Sequence, residues 1–339
     1  MKFAKILICL LFWIGTLSAS PYFSFKKYQV EDGLAHNTVW CALQDSYGFI
    51  WLGTSDGLNR YDGRDNKVYR NVLNDKFSLE NNFVEALIEV DGNIWVGTNS
   101  GLYIYNRATD CFSYFDKTTK YNVYISSEIK KIIKTENGLI WIATLGQGFF
   151  IYDPETEVLT QNSVQTSFVW DLCQSDDRKK VYVSSLQKGL LCFDENGKYL
   201  RAYEISLEVN SSDSYKVNCI QNIDGEIWIG AGSNLLSHLD ERTETIKNYS
   251  GSTFNFGAVH CLLKYTDEQL LVGTDNGLYL FNWKTSIFQR MDNPADPRSL
   301  SDQTINGMMW DAEGALWVLT NLGGINYMSK QTKRFDYYS

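Results

Sequence analysis

The amino-acid sequence predicts an all-β fold: a seven-bladed β-propeller of four-stranded antiparallel blades, preceded by a signal peptide. Three observations predict it. Apolar runs of four to seven residues, rich in β-branched and aromatic side chains, alternate with Gly, Asn and Asp, the pattern of short antiparallel strands joined by tight turns. The pattern recurs, with a large apolar residue at Trp51, Trp95, Trp141, Tyr182, Trp228, Leu271 and Trp317, at spacings of 44, 46, 41, 46, 43 and 46 residues. Blades of four strands occupy roughly 40–50 residues each. Finally, the 339 residues are 44% apolar and 14% aromatic, ample for a core. Repeat cores near 36–63, 82–106, 129–153, 168–194, 217–240, 258–282 and 305–328 fill the span 21–339 as one propeller and leave no second domain.

Residues 1–20 read as a leader. Lys2 and Lys5 form a positive n-region, Ile6 to Ile14 an apolar h-region, and Thr16 to Ser20 supply small residues for cleavage. The run is shorter than the ~20 apolar residues of a membrane span, and no later stretch reaches that length. The mature chain is therefore expected in the periplasm, with no membrane span. Net charge is −9, and loss of the two leader lysines makes it more negative. An acidic surface repels phosphate backbones and anionic lipid, so nucleic acid is not expected as a partner, and neutral or cationic ligands fit better.

In the first repeat, the innermost strand A runs from Val39 to Gln44, strand B from Phe49 to Gly53, strand C from Leu58 to Tyr61 and strand D over Lys67 to Arg70. Asp91-Gly92, Asn137-Gly138, Asp224-Gly225 and Glu313-Gly314 occupy the A to B turn of other repeats, where positive φ is needed. The large strand B residues fill the space between blades, and Gly after them admits the neighbouring backbone. Cys41, Cys219 and Cys261 each lie two residues after the valine that opens strand A. A small residue suits that crowded position, so these three read as free thiols although the exported chain would keep an even number of cysteines.

The ends of the chain offer eight outer strands for seven places. Residues 22–30 have the same character as Lys333 to Tyr338. Pairing of 22–30 with Gly324 to Met328 would close the ring and cover the edge of the last strand C.

The motif Asp-x-x-Gly-x-Ile-Trp-x-Gly-Thr-x-x-Gly-Leu-x-x-Tyr resembles the two-component regulator propeller repeat of exported sensor regions in hybrid two-component systems of gut Bacteroidetes. Near copies of its corner are Gly53 to Leu58, Gly97 to Leu102 and Gly273 to Leu278. Repeat four departs at Tyr182-Val183-Ser184-Ser185, and repeat five at Gly230-Ala231-Gly232. The resemblance implies a larger architecture: a second propeller, an immunoglobulin-like domain, a membrane helix, a histidine kinase, a receiver and a DNA-binding domain. The chain then reads as a truncated sensor, an expression fragment or a split gene product, whose homodimer would form through the modules it lacks.

For catalysis the residues offer little. His36, His238 and His260 are the three histidines and none has metal-ligand spacing, so no metal or cofactor is expected. Asp45, Asp56 and Asp311 read as solvated turn or corner carboxylates, and Asp171 as a lone carboxylate facing the channel. No catalytic constellation is recognised. Large or polar residues at the second position of strand A suggest a binding site: Trp40, Trp170 and His260, with Asn218, Asn306, Glu85 and Lys130 in the other repeats. With Asp171 and the linker residues His36, Asn37, Asn82 and Thr166, they would form the ligand face. Aromatic surfaces interleaved with amides and charges suit an oligosaccharide, whose C–H faces stack while its hydroxyls donate and accept. A sensor that binds an oligosaccharide is the first reading; a propeller glycosidase or polysaccharide lyase, and an interaction scaffold, are the alternatives.

Overall fold

The computed structural model describes residues 22–330 apart from 164, 206–215, 233 and 251–254. The leader at 1–20 and the segment Lys333 to Tyr338 lie outside the described residues. The described chain forms seven four-stranded antiparallel sheets. The inner strands A are Val39–Gln44, Val84–Val90, Glu128–Lys134, Val169–Gln174, Val217–Ile223, Val259–Thr266 and Ile305–Trp310. Each packs against the strand A of the next blade, and Ile305–Trp310 returns to Val39–Gln44, so the ring is closed.

Six blades take their four strands in chain order. The seventh consists of Ile305–Trp310, Leu316–Thr320, Ile325–Met328 and the N-terminal strand Lys26–Tyr28. Lys26 pairs with Tyr327, Lys27 with Asn326 and Tyr28 with Ile325. Phe23 and Phe25 precede this strand, bury among Leu278, Leu316 and Met328, and donate their amide protons to the carbonyls of Met291 and Arg298. The two ends of the described chain are therefore fastened by backbone bonds and by two buried rings.

All seven large strand B residues are buried between sheets. The glycine that follows has a physical cause: a Cβ on Gly53 would lie 2.5 Å from the Cys41 sulfur and 2.7 Å from the Val84 carbonyl oxygen. The thiols of Cys41, Cys219 and Cys261 fill this same gap and are free. Burial raises all three well above the ordinary thiol range, Cys261 to about 12.

One expectation is overturned. Asp45 is no solvated turn carboxylate, because its side chain is fully buried. It accepts hydrogen bonds from the amides of Tyr47 and Phe49, from the Trp51 indole at 2.7 Å and from Arg107 at 2.9 Å. Asp311 binds the Ala315 amide and the Trp317 indole in the same way. The reason is the strand B tryptophan: a ring buried between blades needs an acceptor for its N–H, and the turn carboxylate supplies one.

Candidate ligand-binding site

The site is built by one irregularity repeated seven times. In blade 1, Val39 pairs with Thr54 and Cys41 with Gly53, so one residue of strand A is left over between them. Such breaks fall at Val84/Ala86, Ile129/Lys131, Val217/Cys219, Val259/Cys261 and Ile305/Gly307, and at Val169/Leu172 two residues, Trp170 and Asp171, stand opposite Ser184 alone. A β-bulge re-aims the residue it displaces. Those residues are Trp40, Glu85, Lys130, Trp170, Asn218, His260 and Asn306, and all seven line one cavity of about 280 Å³ on the ring axis.

Two of them tie neighbouring blades at the start of strand A, and two bind the corner of their own blade. Asn218 donates to the Val259 carbonyl at 3.2 Å, and Asn306 to the Val39 carbonyl at 3.0 Å. His260 Nε2 meets Asp275 at 2.6 Å, and Trp40 Nε1 donates to Ser55 Oγ at 2.9 Å. Asp275 and Ser55 belong to the corners between strands B and C, which places the ring of seven on that face of the propeller. Lys130 is the hub of the charged arc. Its ammonium pairs with Glu85 and with Glu128 at 3.3 Å, and lies 4.3 Å from the centroid of Trp170 and 5.7 Å from that of Trp40. Glu85 is 4% exposed in its side chain, and among the described residues its Oε2 has no hydrogen-bond partner. Burial pushes its carboxyl up to about 7 although Lys130 opposes the shift.

Asp171 also lines the cavity, yet it is held by the chain. Its carboxylate accepts from the Leu172 and Ile220 amides, each at 2.9 Å, which joins blade 4 to blade 5. The linker residues His36, Asn37, Asn82 and Thr166 are not brought into the cavity. His36 Nδ1 accepts from the Thr38 amide and Asn37 Oδ1 from the Val30 amide. Asn82 bridges the Asn71 amide and Asp56, and Thr166 bonds within its own turn and to Ser185. Linkers have no ladder to satisfy their backbone groups, so short polar side chains do it.

The sequence reading missed Lys131. It lines the cavity from the third position of strand A, where the other blades carry Cys41, Ala86, Asp171, Cys219, Cys261 and Gly307. A long cation at a position that is small elsewhere was the available signal. The charge of Asp171, 3.5 Å away, keeps Lys131 above the ordinary lysine range. Among the described residues no group of three metal-ligating side chains occurs, and no helix is long and apolar enough to cross a membrane.

Comparison with known proteins agrees with the resemblance read from the repeats. Residues 33–56 match the two-component regulator propeller model. The chain is 26% identical over 333 residues to Histidine kinase P4 of Formosa agariphila, covering 95% of this chain and 21% of that protein. It thus spans about a fifth of the length of the curated relative it matches. Among solved structures, the extracellular domain of a hybrid two-component system from B. thetaiotaomicron superposes with a TM-score of 0.78 at 24% identity, over 91% of this chain and 42% of that one. A second such extracellular domain from B. thetaiotaomicron gives 0.74 at 24% identity, over 91% and 40%. A streptogramin B lyase gives 0.69 at 13% identity, over 91% and 99%. At these identities the structures show a shared fold alone. In sequence, the chain resembles the two-component regulator propeller proteins.

Proposed function

We propose that this chain is the exported, periplasmic sensing propeller of a hybrid two-component system, that it binds an oligosaccharide at the mouth of its channel, and that it signals to a kinase module beyond the propeller. The observation that carries the reading is the bulge repeated in all seven strands A, which turns seven non-equivalent side chains towards one cavity. Indole rings at Trp40 and Trp170 stand on one arc, and amide and imidazole groups at Asn218, His260 and Asn306 on the other. Sugar rings need both kinds of surface.

Binding is favoured over turnover because the carboxylates of the cavity are engaged. Asp171 is held by two amides, and Glu85 by Lys130. Neither stands free as one of a pair flanking a substrate bond, the arrangement that glycoside hydrolysis uses.

Titration calorimetry of the mature chain against a panel of plant, algal and host oligosaccharides, with chromatography of the mixtures afterwards, tests the reading. Binding without new products is expected, and Trp170→Ala should weaken it about tenfold by removing one stacking face while the melting temperature holds. Accumulation of shortened or unsaturated products would establish the enzyme alternative. Silence across the panel would overturn the proposal.

A further inference from the structure

We infer that the ligand of this cavity carries an anionic substituent, a carboxylate or a sulfate, and that Lys131 receives it. The inference rests on the oligosaccharide reading above and narrows it to acidic saccharides.

The chain as a whole is acidic, with a net charge of −9, so anions are unfavourable guests unless the cavity itself says otherwise. It does. Its two carboxylates are withdrawn from the lumen: the side chain of Glu85 is 4% exposed and that of Asp171 12%, whereas that of Lys131 is 43% exposed. The accessible formal charge lining the cavity is therefore a cation.

Lys131 is also a surplus partner. Asp171 accepts two backbone N–H bonds at 2.9 Å, one on each oxygen, so its carboxylate keeps donors on both oxygens if the ammonium turns to a guest. The Lys131 ammonium stands 3.5 Å from Asp171, the long end of an ion pair. Among the described residues its three donors meet one acceptor, Asp171 at 3.5 Å, which leaves hydrogen-bonding capacity for a guest in the lumen. Lys130, one residue earlier, differs: two carboxylates and two indole rings enclose it. In a recess about 280 Å³ in size, walled on several sides by protein, a charge-assisted bond is screened less than on an open surface.

Calorimetry with matched probes decides the matter. Uronate tetrasaccharides from pectin, alginate and hyaluronan would be compared with their carboxyl-reduced counterparts, and carrageenan tetrasaccharides with their desulfated ones. The expected result is that at least one acidic member binds about tenfold or more tightly than its neutral counterpart. That preference should weaken between low and high salt, disappear in Lys131→Met and persist in Lys131→Arg, with melting temperatures showing that both variants fold. Preference confined to uronates or to sulfated members identifies which anion Lys131 reads. Binding of neutral members with equal or greater affinity would overturn the inference and leave the oligosaccharide reading standing. No binding by any acidic or neutral member would overturn both.

Discussion

The indole nitrogen of Trp51 donates to Asp45 at 2.7 Å, linking the centre of strand B to the turn that introduces it. This single bond joins two levels of the fold. The tryptophan fills the gap between blades, and the carboxylate that answers its N–H also accepts two turn amides, so inter-blade packing and hairpin geometry are set together.

Asp45→Ala should therefore destabilise the ring far more than a surface substitution would. It removes the acceptor of three N–H groups and leaves Arg107 short of a buried counter-charge. Losses of about 3–5 kcal/mol are typical when one partner of a buried charged pair is removed. Chemical denaturation would measure it; a loss below about 1 kcal/mol would mean that the turn finds other acceptors.

Blade 3 offers the converse. Thr135 occupies the place of Asp45, and among the described residues the buried Trp141 Nε1 has no acceptor. Thr135→Asp should supply one and raise the melting temperature, since an unmet buried donor costs about 1–3 kcal/mol. An unchanged or lower value would show that the Thr135 hydroxyl, which bonds Asn137 and the Leu139 carbonyl, matters more than the indole.

These two turns also show what was legible in the sequence. Blade number followed from the spacing of strand B tryptophans, because the inter-blade gap demands a large residue once per repeat. The second positions of strand A were legible as a set, since each directly follows a valine or isoleucine at one fixed place in the repeat: Val39, Val84, Ile129, Val169, Val217, Val259 or Ile305. Asp45 was misread because a turn aspartate looks the same whether it faces water or an indole from six residues on. His36 and Asn37 sit on polar linkers, where a residue that binds a ligand and one that caps a backbone amide have the same composition. Only the hydrogen bonds separate them.

Closure gives a third test. Removing residues 22–28 would delete the outer strand of blade 7, expose the edge of Ile325–Met328 and take Phe23 and Phe25 out of the core. Blade 7 would then meet blade 1 through packing alone, with no shared strand to fasten them, so a broader transition and a markedly lower midpoint are expected. Phe25→Ala alone should cost about 3 kcal/mol or more. A truncated chain that melts like the intact one would mean that this strand contributes nothing to the ring.

The last prediction concerns pH. Burial raises the Glu85 carboxyl from its ordinary 4.5 to about 7, so between those values the folded chain holds a proton that the unfolded chain has released. Stability must then fall as pH rises through this window and level off above it. The charged groups that act on Glu85 are Lys130 and Glu128. The attraction of Lys130 opposes the cost of burial and does not reverse it. Carboxylates with depressed values, such as Asp110 near 2 and Asp177, add their own pH dependence only as pH falls below the ordinary carboxylate range, so the two effects occupy different windows. Melting temperatures of the parent should drop between pH 5 and pH 8, and Glu85→Gln, neutral throughout, should remove most of that drop. Parallel curves for parent and variant would show that Glu85 is ionised across the range, with Lys130 outweighing its burial.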